Sequence, residues 1–467
     1  MNQEAILISF IVAILGIAYP ILLQVITRLD EKYNSTIILD LIKSEKEWKI
    51  FKLTLFSALI ITGIHLLKRP LIYDFGIFNT LISHSGIILL YVSTGLLITS
   101  YIFFVHKTII YYHPQELVKY LIEKSKHNNT TENKPIQGLT DILMLAIKTA
   151  DAKIARELTK FFTSYFSNKR DELANSENPY WDKTYIQIIR RGTEELLNQK
   201  SKRVSYLNRN IVGGLWLLGT EKGNKIPEET YQILWENLIN SIEYDRPDFV
   251  MKIWQNSHDY YRNNFYEFQN DNVDLEERNR FLEFHYAMGG LLLFSKKYKL
   301  INSIFNYITN LPPKYFLLPD TFNEIFYFLI RFREPEYYNN TFIGVRYQYS
   351  GSQGLDSEFL IKKHTQLYLG LLFIRQYSLH KYYTFEAPLA EPSIPPEQKD
   401  KKLLIEYIPQ LKNFINEIMN DKELIISLEW EKLITYLNED SNDKSPSKLI
   451  NNYIQKLEQS LEETEIT

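Results

Sequence analysis

The densest gathering of side chains able to do chemistry lies between Trp254 and His285. It holds His258, Asp259, Arg262, Glu276, Glu277, Arg278, Arg280, Glu283 and His285, interleaved with Tyr260, Tyr261, Phe265 and Tyr266. A histidine acts as a general base only when it reaches the proton it removes and a neighbour orients it. Here His258 or His285 would have to meet a carboxylate across two helices, and nothing in the spacing imposes that. Glu276 and Arg280 stand four apart, the ordinary geometry of an exposed helical ion pair worth about 0.2–0.5 kcal/mol. No residue is therefore assigned a catalytic role, and the chain is expected to be non-enzymatic. His258, Arg262, Arg278, Arg280 and His285 stand as candidate contacts for a bound partner.

The absence of cysteine excludes disulfides, thiolate zinc sites, iron–sulfur ligation and a cysteine nucleophile. Neither a P-loop nor a GxGxxG fingerprint occurs, and no HExxH or His-x-Asp cluster offers a metal its ligands. No cofactor and no metal are expected. Formal charge is −3, with nine basic against seven acidic residues through Lys107 and 44 against 49 beyond it. That balance lacks the basic footprint of a nucleic-acid binder. Local groups such as Arg190-Arg191, Lys200 to Arg203 and Lys296 to Lys299 read as solvated faces able to meet an anionic partner or lipid headgroups.

The elements that position these residues begin with three apolar runs, at 5–26, 50–67 and 81–105. A helix of about 20 apolar residues crosses a hydrocarbon core of about 30 Å, so residues 1–113 are expected to form a three-helix transmembrane module. The first run lacks a basic leader and a small-residue cleavage site, so it should remain in the mature protein. Pro20 within it predicts a kink, because it removes an amide and clashes with the preceding turn. The second and third runs, joined over 70–79, should form an antiparallel hairpin.

Gly86, Ser93 and Ser100 recur at intervals of seven in the third run, with Thr94 and Thr99 beside them. Such a stripe packs helices together, or lines a pore if several chains assemble. Arg28, Lys32, Lys43, Lys46, Lys49 and Lys52 crowd the first joint, whereas the N-terminal tail has no basic side chain. By the positive-inside rule the N-terminus lies outside and the large remainder in the cytoplasm. A composition rich in Ile, Asn, Lys and Tyr fits an AT-rich genome, and a bacterial inner membrane is the expected location. Ser35 can cap an amphipathic helix carrying Ile37, Ile38, Leu41 and Ile42, which either lies in the inner interface or extends the second span.

Beyond a helix and linker over 114–135, apolar residues recur at helical spacing. Thr149-Ala150-Asp151 and Tyr244-Asp245-Arg246-Pro247-Asp248 read as joints between paired helices. Gly213-Gly214 and Gly289-Gly290 each precede an apolar run, where close helix packing would justify glycine. The fold class is thus all-α. Residues 136–438 are expected to form a cytoplasmic helical domain, an irregular α-solenoid-like array of helix pairs. It would be interrupted near 333–357 and 387–398 and followed by a joint and an amphipathic helix over 439–467.

The expected function is that of a membrane-anchored scaffold whose cytoplasmic helices bind another macromolecule. Its partners would be the lipid bilayer, a protein and, in one arrangement, further copies of the chain. The alternative is an oligomeric membrane-perturbing effector or gated channel with a cytoplasmic sensor domain, of the kind used in bacterial immunity.

Overall fold

Helical periodicity dominates the sequence, and the computed structural model is helical wherever it has regular structure, with no strand among the described residues. Those residues are 3–66, 79–126, 133–173, 181–199, 205–221, 225–266, 274–307, 317, 322–331, 354–383, 398–430, 455 and 458–459. The joint at 70–78, most of the irregular passages near 333–357 and 387–398, and nearly all of 439–467 lie outside them. Gly354 to Ser357 already belong to a long helix, and Gln398 opens another.

The chain divides into two compact units, the first closing at Phe162 and the second opening at Thr163. The first contains α1 (Gln3–Tyr33), α2 (Thr36–Ser44), α3 (Lys46–Leu66), α4 (Asn79–Tyr112), α5 (Pro114–Lys126), α6 (Lys134–Lys148) and the start of α7 (Ala152–Leu173). Two stretches are long and apolar enough to cross a membrane, Lys46–His65 in α3 and Ser85–Tyr112 in α4. Three were expected. Helix α1 covers the first expected run and continues through Pro20, but many of its side chains lie outside the described residues, so the structure shows two such helices rather than three.

Helices α3 and α4 run antiparallel. Glu47 lies beside Lys107, Phe51 stacks on Phe104 with ring centroids 4.9 Å apart, and Thr54 meets Ser100 at 2.7 Å. Leu90, Leu97 and Phe104 recur every seven residues to build one side of the seam; Phe51, Leu55 and Ala58 build the other, and Ile11 of α1 joins them.

Helix α2 is separate from α3 and turns its apolar face to protein. Ser35 caps it, accepting the Ile38 amide at 3.2 Å, and its buried face of Ile38, Leu41 and Ile42 is covered by protein. Gly138 of α6 brings that helix close, since a Cβ there would stand 3.0 Å from Leu41. The backbone at Glu45 is extended (φ −61, ψ 145), which separates α2 from α3.

The second unit contains the remainder of α7, then α8 (Lys183–Asn198), α9 (Ser205–Leu207), a π-helical turn (Asn208–Val212), α10 (Leu215–Leu218), α11 (Glu228–Glu243) and α12 (Pro247–Tyr261). A second π-helical turn (Arg262–Tyr266) follows, then α13 (Leu275–Phe294), α14 (Tyr298–Phe305), α15 (Phe322–Arg331), α16 (Gly354–Tyr383), α17 (Gln398–Asn420) and α18 (Lys422–Ser427). Helices α11 and α12 pack as one pair and α13 and α14 as another, while α16 lies along α13. A buried ion pair pins the start of this unit. Arg170 reaches Glu221 at 2.9 Å and lies over the Trp181 ring, and Glu221 also accepts the Thr230 hydroxyl at 2.6 Å.

The two glycine pairs do different work. Gly289 and Gly290 sit inside α13, where a Cβ would enter the Tyr368 ring or stand 2.6 Å from Thr365 Cα, so α16 can approach only because both side chains are missing. Gly213-Gly214 instead ends a helical passage, with Gly214 left-handed at φ +74.

Four joints share one geometry without glycine. Ala150, Asp245, Lys296 and Glu429 adopt φ of 54, 50, 52 and 55. In each, the next amide reaches back past the helix end: Asp151 to Ala146, Arg246 to Ser241, Lys297 to Leu292 and Trp430 to Ile425, at 2.8–3.0 Å. This is the Schellman closure, which satisfies the last carbonyls. An L-residue there costs about 1–2 kcal/mol, and the extra freedom glycine has in the unfolded chain offsets about 0.4–1 kcal/mol of any relief. Ala150→Gly is therefore expected to stabilise the first unit by about 0.5–1 kcal/mol, read as a raised unfolding midpoint. A lowered midpoint would show that the Ala150 side chain contributes more than its backbone costs.

Candidate functional site

Helices α12 and α13 bring the residues of the chemical cluster together, but turn them inward. His258 lies on α12 and His285 on α13, and both are buried. Within the α-helix, His285 Nδ1–H donates to the Phe281 carbonyl at 2.6 Å, which leaves Nε2 as the bare nitrogen. Its ring is packed among Trp254, Phe281 and Phe284. His258 meets the Tyr307 ring edge-on at 5.2 Å. Asp259, the next residue, stays 4.0 Å from His258 Nδ1 and accepts a bond from Arg209 at 2.9 Å. Burial pulls the imidazoles down to about 4 for His258 and about 3 for His285.

The arginines serve as ties between helices. Arg278 donates from Nε to the Tyr261 hydroxyl at 2.7 Å and from Nη2 to Glu324 of α15 at 2.9 Å. Arg280 turns to Glu277 at 3.1 Å and to Glu228 of α11 at 2.6 Å, not to Glu276, and lies over the Tyr231 ring. Arg262 opens the second π-helical turn and is half-buried. The arrangement can hold helices in register and keep two imidazoles neutral, and it presents neither histidine to a substrate.

In the first unit, Ser93, Thr94 and Ser100 are buried on the seam side of α4. Ser93 and Thr94 donate to the Leu90 carbonyl, while Ser100 donates to that of Leu97 and meets Thr54. Gly86 faces His65, whose Nδ1 would lie 3.2 Å from an added Cβ. Pro20 is exposed on α1, apart from this seam.

The strongest polar constellation was not visible in the sequence. Glu45, in the break between α2 and α3, is buried and accepts bonds from Tyr111 at 2.7 Å, Tyr120 at 2.8 Å and Lys124 at 2.5 Å. Lys107 bridges Glu47 at 3.3 Å, approaches Glu45 at 3.9 Å and rests over the Tyr120 ring. Burial alone would raise the Glu45 carboxyl, but the bonds from Lys124, Tyr111 and Tyr120 and the Lys124 charge outweigh it and hold the group below its ordinary value. A run of lysines and tyrosines at successive intervals of four, nine and four residues, Lys107, Tyr111, Tyr120 and Lys124, is the trace it leaves in the sequence.

Two outcomes follow. Glu45→Gln is expected to destabilise the first unit by about 3 kcal/mol, since it strands the lysines of a largely buried pair. Because the folded Glu45 value is depressed, its contribution is present above the unfolded value of about 4.3 and is lost as pH falls through the folded one, so wild type and variant converge in acid. The histidines act over a different window. Below about pH 6.5 the unfolded chain takes up protons that folded His258 and His285 refuse until about 4 and about 3, so stability falls by about 1.4 kcal/mol per pH unit for each. Replacing His285 with Leu should roughly halve that slope in an acid-unfolding series followed by tryptophan fluorescence; an unchanged slope would place the titration elsewhere.

Comparison with protein-family models, with curated proteins and with solved structures finds no match to this chain.

Proposed function

We propose that this is a membrane-anchored interaction protein, held in a bilayer by α1, α3 and α4 and carrying a helical cytoplasmic unit that binds another protein. The observation that carries the reading is the distribution of exposed apolar surface. Of the 22 large apolar side chains exposed among the described residues, 18 lie on α1, α3 and α4, from Val12 to Tyr112. The core helix of a water-soluble protein is mostly buried, whereas the two candidate spans are 22% and 33% buried. A patch of that extent marks a membrane or a partner, and its placement around antiparallel helices of spanning length favours lipid.

Orientation is supported by the same unit. Lys32 bonds the Tyr112 carbonyl and Lys107 bridges Glu47, so the C-terminal ends of α1 and α4 and the N-terminal end of α3 share one level. Arg28, Lys46, Lys49 and Lys52 gather there too, and an end so rich in Lys and Arg faces the cytoplasm of a bacterial inner membrane. The inward use of His258, His285, Arg278 and Arg280 favours binding over catalysis. The burial of Ser93, Thr94 and Ser100 within one chain weighs against a pore.

The chain has no cysteine, so single cysteines report its topology directly. The full chain is expected to resist carbonate extraction from membranes, and in intact cells an impermeant maleimide should label Gln3→Cys but not Lys43→Cys. Release by carbonate would overturn the anchor, and the reverse labelling would overturn the orientation. Affinity capture from native membranes should retain a protein partner that survives loss of the lipid; a lone stable ring of this chain would favour the effector or channel instead.

A further inference from the structure

At the inner ends of α1 and α4 the first unit encloses a cavity of about 200 Å³ lined by Lys32, Pro114, Thr149, Asp151 and an apolar floor of Ile142, Leu145, Ala146 and Ile154. We propose that it is a phospholipid headgroup site, in which Lys32 takes the phosphate and Asp151 the ammonium of a zwitterionic ethanolamine headgroup. The inference rests on the membrane reading above.

Depth is the first argument. Lys32 Nζ donates to the Tyr112 carbonyl at 2.6 Å and lies 4.9 Å from the Tyr112 ring centroid, at the end of the stretch that is apolar enough to span. Ile109 and Tyr112 of α4 and Leu23 of α1 are exposed just before that level, so acyl chains can run along α1 and α4 while the headgroup reaches the cavity. A lysine beside a tyrosine is also the usual furniture of the membrane boundary.

Charge is the second. Among the described residues the partners of Lys32 are a carbonyl and the faces of Tyr33 and Tyr112, with no carboxylate, and burial lowers its ammonium from the ordinary lysine value. One of its three donors is occupied, and a phosphate oxygen would supply the missing anion. Asp151 spends Oδ1 on the amides of Lys153 and Ile154 at the start of α7, which leaves Oδ2 for a donor. One cation and one carboxylate bordering a small, otherwise apolar cavity match a headgroup that carries one charge of each sign.

The test uses the full chain in detergent, with lipid binding read by native mass spectrometry. Phosphatidylethanolamine is expected to bind at least about tenfold more tightly than phosphatidylglycerol. Lys32→Gln should weaken it by at least about tenfold and Lys32→Arg should restore it. Asp151→Asn, which keeps the helix cap, should abolish the preference between the two lipids. Equal binding of the lipids by the wild type, or ethanolamine lipid bound as well by Lys32→Gln, would overturn the site. Free phosphoethanolamine at matched concentration should not displace the lipid; displacement would assign the cavity to a soluble phosphate compound. A chain released by carbonate yet binding through Lys32 sinks the anchor reading alone, and an anchored chain without Lys32 dependence sinks the headgroup site alone.

Discussion

A carboxylate taken out of water is costly unless its oxygens are met by donors and its charge by a cation. Glu45 imposes that condition on the first unit, and two helices answer it: α4 with Tyr111 and Lys107, and α5 with Tyr120 and Lys124, around the break between α2 and α3. The geometry follows from the chemistry. Tyr111 must end a membrane-length helix at the level where α3 begins, and the turn at His113 and Pro114 must return α5 beside α4 so that Tyr120 and Lys124 converge on the same two oxygens. A group of this kind contributes little to net stability compared with an apolar replacement, but it tolerates few alternative arrangements.

Apolar surface is disposed in opposite ways in the two units. Helices α3 and α4 bury a narrow seam and leave much of their remaining apolar surface exposed, so their burial is low although their hydropathy is high. Helix α13 is covered all round, with every residue from Phe281 to Leu293 buried, and Glu283 and a neutral His285 are carried inside with the rest. The C-terminal half of α13, from Ala287 to Phe294, is at least as free of charge as the two candidate spans. What separates them is the neighbour: α16 presses on Gly289 and Gly290, whereas among the described residues the outer faces of α3 and α4 stay exposed.

Much of the helical layout was legible because periodicity and polar joints are local signals. The joints at Thr149-Ala150-Asp151 and Tyr244-Asp245-Arg246 fall where helices end, and Ser35 caps α2 as its position suggests. The candidate site was less legible. Glu45 finds partners 66 to 79 positions away, a separation no sequence window spans. Arg280 passes over Glu276 for Glu277 and for Glu228 of α11, and the two histidines that looked most able to react are buried against Trp254, Phe281, Phe284 and Tyr307. The two glycine pairs show the limit most directly, since one dipeptide serves a left-handed turn at Gly214 and a helix crossing at Gly290.

The covering of α2 also orders events at the ribosome. Ile38, Leu41 and Ile42 are made early, but the helix that shields them, Lys134–Lys148, is synthesised only after both candidate spans. Until residues 134–148 have been made, that apolar face lacks the helix that covers it in the folded unit.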